Sequence, residues 1–158
     1  MILKYRYSGA YMDKLVLDTN VLIDGLKDNH SAAWQIINKA FSGSIQLFIS
    51  RPLRREYERI LQREISDTAY IERIQKLLEI SIEVDVRNIQ RLVPDDPEDD
   101  KVVATALASE ADFLISEDHH LLDLDLQLSV RIIKPKEYLN NNTKDSSWGD
   151  FARLIGIN

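Results

Sequence analysis

The chain has 158 residues, enough for one domain with a sizeable core, and 44% apolar with 29% charged residues is the composition of a soluble globular protein. It has no apolar run near the ~18 residues of a membrane span, no basic stretch leading into an apolar core as in a secretory signal, and no cysteine for disulfides, thiolate zinc sites or a thiol nucleophile, all of which fits a cytoplasmic protein. The net charge of −6 gives no general attraction to nucleic acid, yet Arg51, Arg54, Arg55, Arg59 and Arg63 gather in one stretch while much of the acidity lies in 95–100.

Apolar runs alternate with helical patterns along the chain. Leu15-Val-Leu17 reads as a short buried strand and Asn20 to Lys27 as a helix. Ser31 is placed to cap a second helix, with Trp34, Ile37 and Phe41 on one face and Gly43 as its stop. Ile45 to Ile49 is a second strand. Pro52 suits the first turn of a helix carrying Leu53, Tyr57, Ile60 and Leu61. Tyr70, Ile71, Ile74, Leu77 and Leu78 mark another helix, and Ile82 to Val86 alternates as a strand. Asp96 and Pro97 read as N-cap and first residue of a helix running through Ser109. Phe113 to Ile115 is a fourth strand, His119 to Leu122 one or two helical turns, Val130 to Ile133 a fifth strand, and Pro135 opens a last short helix. Met1 to Tyr11 shows no clear element. Trp148 to Asn158 places Trp148, Phe151, Leu154 and Ile155 on one side of a short helix.

Five strands separated by helices imply an α/β fold, a parallel sheet with helices on both faces. Ligands of such sheets bind at the carboxyl ends of the strands. Asp18 and Asp118 each follow a strand, and Glu56 and Asp100 lie in the first turns of helices that follow strands. Each alone has an ordinary explanation. Asp18 and Asp118 can cap helices, Asp99 and Asp100 can favour a helix N-terminus, and Glu56 has exposed acidic neighbours. Together they share one sheet edge. Clustered carboxylates suit Mg2+ or Mn2+, one or two ions, and the phosphodiester chemistry such ions support. His119-His120 diverge on a helix and read as surface residues. Tyr57 has the spacing of a core residue, with base stacking as its alternative. No glycine-rich phosphate loop occurs.

The same residues carry a resemblance. Val16-Leu-Asp18-Thr-Asn20-Val-Leu-Ile23 resembles the opening motif of PIN-domain nucleases, and Ser50 to Leu61 their second. Asp95-Asp-Pro-Glu-Asp-Asp100-Lys-Val-Val-Ala-Thr-Ala106 resembles the third, Glu110 to Leu122 the fourth, and Val130 to Leu139 the closing strand and helix. The similarity covers roughly 13–139, within a single PIN-like domain of 1–158 that adds residues 1–12 and a tail of 140–158. It looks closest to the bacterial branch assigned as toxins of toxin–antitoxin systems. The resemblance implies a three-layer α/β/α fold with strand order 3-2-1-4-5 and metal-dependent endoribonuclease activity. It places the metal-binding acids on Asp18, Glu56, Asp100 and Asp118, preferring Asp100 to Asp99, with Asn20, Asp99, Ser116 and Glu117 as supporting polar residues. Glu117 departs from the usual Thr-Asn-Asp or Thr-Gly-Asp pattern. Arg51, Arg54 and Arg55 are candidate RNA contacts. The implied partners are RNA, an antitoxin protein and a second copy of the chain, with no membrane. Two other readings stand beside it: a haloacid-dehalogenase-like phosphohydrolase, which would carry an aspartate where Asn20 stands, and an inactive PIN-like binding module.

Overall fold

The structure, a computed structural model, describes residues 12–87, 91–93, 96–124 and 130–141. Its elements in chain order are β1 (Asp13–Leu17), α1 (Thr19–Lys27), α2 (Ala32–Phe41), β2 (Ile45–Ser50), α3 (Arg51–Glu64), α4 (Thr68–Ile80) and β3 (Ile82–Val84). A 3-10 turn (Pro97–Asp99) then runs into α5 (Asp100–Ala108), followed by β4 (Phe113–Ile115), α6 (His119–Leu122), β5 (Arg131–Ile133) and a helix, α7, over 135–141.

The five strands form one sheet in the order β3-β2-β1-β4-β5, and every neighbouring pair is parallel. This is the order the resemblance implies. The chain works outward from β1 to β3, then returns across the sheet to β4. The resulting switch point lies between β1 and β4, whose Leu17 and Ile115 are paired. Leu15, Val16, Leu17, Leu114 and Ile115 are all buried. Such unbroken apolar runs are what central parallel strands, covered on both faces, require. Each fully buried Leu, Ile or Val contributes about 1.5–3 kcal/mol.

Side-chain caps set where the helices begin. Ser31 Oγ accepts from Trp34 N at 3.1 Å, Asp67 Oδ1 from Tyr70 N at 3.0 Å, and Asp96 Oδ1 from Glu98 N at 3.0 Å. Gly43, with φ of 72°, turns the chain out of α2 in a conformation that side chains disfavour. Tyr57 and Tyr70 are both buried and donate to the carbonyls of Leu17 and Leu22. Tyr57 is therefore a core residue, and base stacking is not its role.

Several boundaries differ from expectation: β1 starts at Asp13 rather than Leu15, α1 at Thr19 rather than Asn20, β2 ends at Ser50 rather than Ile49 and α5 at Ala108 rather than Ser109. β3 ends at Val84, not Val86, because its partner β2 turns into α3 after Ser50 and offers nothing further to pair with. The helix expected from Asp96 begins as the 3-10 turn and becomes α-helical only at Asp100. β5 begins at Arg131, one residue after Val130. Residues 1–11 and the expected helix of Trp148 to Asn158 lie outside the described residues. Among the described residues no helix is long and apolar enough to cross a membrane.

Candidate metal centre

Asp18 follows β1 directly and is buried, with 5% of its surface exposed. Its backbone N–H donates to the Ile115 carbonyl at 2.9 Å, which joins the ends of β1 and β4. Both carboxylate oxygens are held. Thr19 N donates to Oδ1 at 2.7 Å and Ser116 Oγ donates to Oδ2 at 2.7 Å. Burial raises the Asp18 carboxyl to a pKa of about 6. The Ser116 and Thr19 hydrogen bonds pull it down, and the charges of Asp118 and Glu56 push it up. Ser116, fully buried after β4, also accepts from Asp118 N at 2.9 Å, so one hydroxyl ties two acids together. Asp118 caps α6, its Oδ1 accepting from His120 N at 2.8 Å.

Glu56 reaches the same edge from α3. Its Oε1 accepts from Thr19 Oγ1 at 2.9 Å and its Oε2 lies 2.5 Å from Lys101 Nζ. That second contact is an ion pair rather than an aligned hydrogen bond.

The 3-10 turn before α5 supplies Asp99 to the cluster, whereas Asp100 is engaged elsewhere. Asp100 is buried, and its Oδ1 accepts from Leu92 N at 2.8 Å and Val93 N at 2.7 Å, clamping that segment onto the helix. Asp99 is half-buried, and its carboxyl is raised to a pKa of about 7 by burial, then by the charges of Asp18, Asp118, Asp96 and Glu56. Carboxylate oxygens of Asp96, Asp99 and Asp118 lie within 4.8 Å of one another. Adjacent residues of a helical turn point about 100° apart, so only one of this pair can face the sheet edge. The structure thus brings Asp99, rather than the expected Asp100, into the acidic group.

The donor set fits a hard divalent cation. It consists of carboxylate oxygens, two of its acids are held above the usual carboxylate range by burial and, after it, by neighbouring negative charge, and Asp99 Oδ2 is buried with no hydrogen-bond partner.

The remaining expected residues are spread around this centre. Asn20 is exposed on α1. Glu117 is exposed, lies 4.0 Å from Lys134 Nζ, and is absent from the charges that raise Asp18 and Asp99. His119 and His120 are exposed. Arg51 pairs with Glu83 at 3.0 Å. Arg54 donates to the Leu78 carbonyl at 3.1 Å and lies 3.5 Å from Glu83, so it ties α3 to α4 and β3. Arg55 and Arg59 are exposed, and the charge of Arg59 is felt by Glu98, which flanks Lys101.

Sequence reasoning missed three participants: Thr19, which bridges Asp18 and Glu56; Asp96, read only as a cap; and Lys101. Thr19 stands within the Asp18-Thr-Asn20 motif, where a hydroxyl beside the first acid was the available signal.

The sequence matches the family model of the PIN domain over residues 14–120, and the chain belongs to that family, whose members are nucleases. No curated protein matches it significantly. Among solved structures it is similar to VapBC2 from Rickettsia felis bound to a DNA fragment from their promoter, at 11% identity and a TM-score of 0.55, over 75% of this chain and 96% of that one. PAE2754 from Pyrobaculum aerophilum is similar at 17% identity and a TM-score of 0.55, over 85% and 92%. The PIN domain of RRP44 from T. brucei is similar at 14% identity and a TM-score of 0.53, over 93% and 89%. At these identities the likeness is one of fold.

Proposed function

We propose that this protein is a metal-dependent endoribonuclease of the cytoplasm, the toxin of a toxin–antitoxin pair. The observation that carries the reading is the meeting of Asp96, Asp99 and Asp118, with the charge of Asp18 beside them at the β1–β4 switch point and a buried Asp99 oxygen lacking any hydrogen-bond partner. Asp96, Asp99 and Asp118 would hold Mg2+ or Mn2+, with Asp18 and Glu56 beside them at the same edge. A bound ion there supplies an activated water for attack on phosphorus and offsets charge on the phosphate and leaving oxygen.

The chain's own residues fix the geometry for that chemistry. Thr19 N and Ser116 Oγ hold Asp18 in one orientation, and Ser116 and His120 N hold the Asp118 loop. The exposed Arg59, whose charge reaches Glu98 beside Lys101, and the exposed Arg55 on the same helix supply positive charge that suits a single-stranded polyanion. The fold likeness to VapBC2 supports an antitoxin partner, and the exposed Ile80 and Ile82 support a homodimer.

The test is Mn2+ titration of the protein together with cleavage of single-stranded RNA, single-stranded DNA and a small phosphomonoester. Metal-dependent RNA cleavage, lost in Asp18→Asn, is the expected result. Metal binding without cleavage would make this a binding module, and hydrolysis of the phosphomonoester alone would favour a phosphohydrolase.

A further inference from the structure

Lys101 stands in the first turn of α5, where a helix's positive end disfavours a cation. Lysine also rarely leaves water, yet the Lys101 side chain is only 18% exposed, and its partner Glu56 only 17%. Local structure therefore argues against a lysine here, and the contacts explain it. Its Nζ lies 2.5 Å from Glu56 Oε2 and 3.0 Å from Glu98 Oε2. The other Glu56 oxygen is taken by Thr19 Oγ1 at 2.9 Å. Glu56 Oε2 and Asp99 Oδ2 are both buried without an aligned hydrogen bond, but only the Glu56 oxygen lies against an ammonium, which takes its charge.

We propose that Lys101 is the resident cation of this centre: its ammonium takes the charge of Glu56, so that Glu56 is not a metal ligand and the group of Asp96, Asp99 and Asp118, with Asp18 beside it, holds a single divalent ion. The inference rests on the metal-centre reading above and specifies its occupancy. A divalent ion bound to Glu56 Oε2 would stand within a few ångströms of the ammonium and be repelled by it. Glu56 becomes a positioning residue, orienting Thr19, whose backbone N–H in turn holds Asp18.

The experiment is Mn2+ binding by calorimetry, with bound ion counted by electron paramagnetic resonance. It compares the full chain with Lys101→Met, Glu56→Gln and the double substitution. Thermal unfolding in chelator checks that each is folded. The full chain should bind one ion. Glu56→Gln should keep its affinity within about threefold, Lys101→Met should admit a second ion, and the double substitution should return to one. The inference is overturned if Glu56→Gln weakens the first ion on the order of 10–100-fold, as loss of a ligand or its support does, or if folded Lys101→Met still binds one ion. Lys101→Met leaves a partly buried carboxylate unpaired; should it fail to fold, the affinity of Glu56→Gln decides alone. Failure of all four proteins to bind Mn2+ would overturn the metal-centre reading and this inference with it, whereas the other adverse results overturn the inference alone.

Discussion

Ser116 Oγ donates to Asp18 Oδ2 at 2.7 Å, joining residues 98 apart in sequence. The bond exists because β1 and β4 are sheet neighbours and each ends at a polar residue. The same hydroxyl accepts from Asp118 N. Ser116→Ala should therefore act on two acids at once. Loss of a buried hydrogen-bonding group costs about 1–3 kcal/mol, and loss of support for metal-binding carboxylates costs on the order of 10–100-fold in metal affinity. Chemical denaturation and Mn2+ calorimetry would check the two effects. Unchanged metal affinity would remove Ser116 from the centre and leave it a structural role.

Asp18→Asn should stop cleavage yet stabilise the metal-free protein, and the stabilisation should depend on pH. The Asp18 carboxyl is raised from 3.8 to about 6 by burial. A group raised on folding favours the folded state below its unfolded pKa, and that favour is lost as pH rises through the folded value. The gain from Asp18→Asn should thus be small at about pH 4 and grow toward about pH 6, to at most ~3 kcal/mol. Unfolding in chelator across that range, compared between the two proteins, measures it. A gain that shrinks with rising pH would show that Asp18 is not under charge stress.

Asp99 and Asp100 should separate metal binding from stability. Asp99→Ala removes a carboxylate raised by burial and then by four acidic neighbours, so Mn2+ affinity and cleavage should fall while stability holds or rises. Asp100→Ala leaves the amides of Leu92 and Val93 without their acceptor, which should destabilise the fold by about 1–3 kcal/mol. Calorimetry and urea unfolding of both variants suffice. The reverse pattern would restore Asp100 as the ligand.

This pair also marks where the sequence stops being legible. The five strands are short apolar runs bounded by polar residues, and their spacing by helices implies a parallel sheet with Asp18 and Asp118 at one edge, whereas the order that makes β1 and β4 neighbours came only from the resemblance. Choosing between Asp99 and Asp100 required knowing that a 3-10 turn precedes α5, which rotates the two side chains differently from a helix begun at Pro97. Lys101 was illegible for another reason. Its partner Glu56 lies on α3, and only the packing of α3 against α5 brings them together. The end of β3 at Val84 likewise depends on where β2 ends, not on its own alternation.

The arginines near Glu56 should divide in the same manner. Arg54 is committed to Leu78 and Glu83, so Arg54→Glu should chiefly lower the unfolding temperature. Arg55 and Arg59 are exposed, and reversing both to Glu should weaken RNA binding and flatten its salt dependence. Each lost phosphate contact on a single strand reduces the log–log slope by about 0.7. Fluorescence anisotropy with a labelled RNA across a salt series reads this directly. An unchanged slope would remove these residues from the RNA path.

Association is the last expectation open to test. Ile80 closes α4 with 55% of its surface exposed, and Ile82 on β3 is 39% exposed. β3 is an outer strand of the sheet, and one groove is lined by Ile80 together with Met12, Phe41 and Leu47. Large apolar residues grouped at a sheet edge are a common ground for pairing of chains. Trp148, Phe151, Leu154 and Ile155 form the second apolar group, at helical spacing in the tail, and a short helix needs a packing partner to persist. The full chain should therefore sediment as a dimer at micromolar concentration. Ile80→Lys and a version ending at Asn140 assign the cause. A monomer on Ile80→Lys alone places the contact at the sheet edge, and a monomer only on truncation places it in the tail. Monomeric behaviour of the full chain would leave the antitoxin, rather than a second copy, as the partner to seek for these apolar groups.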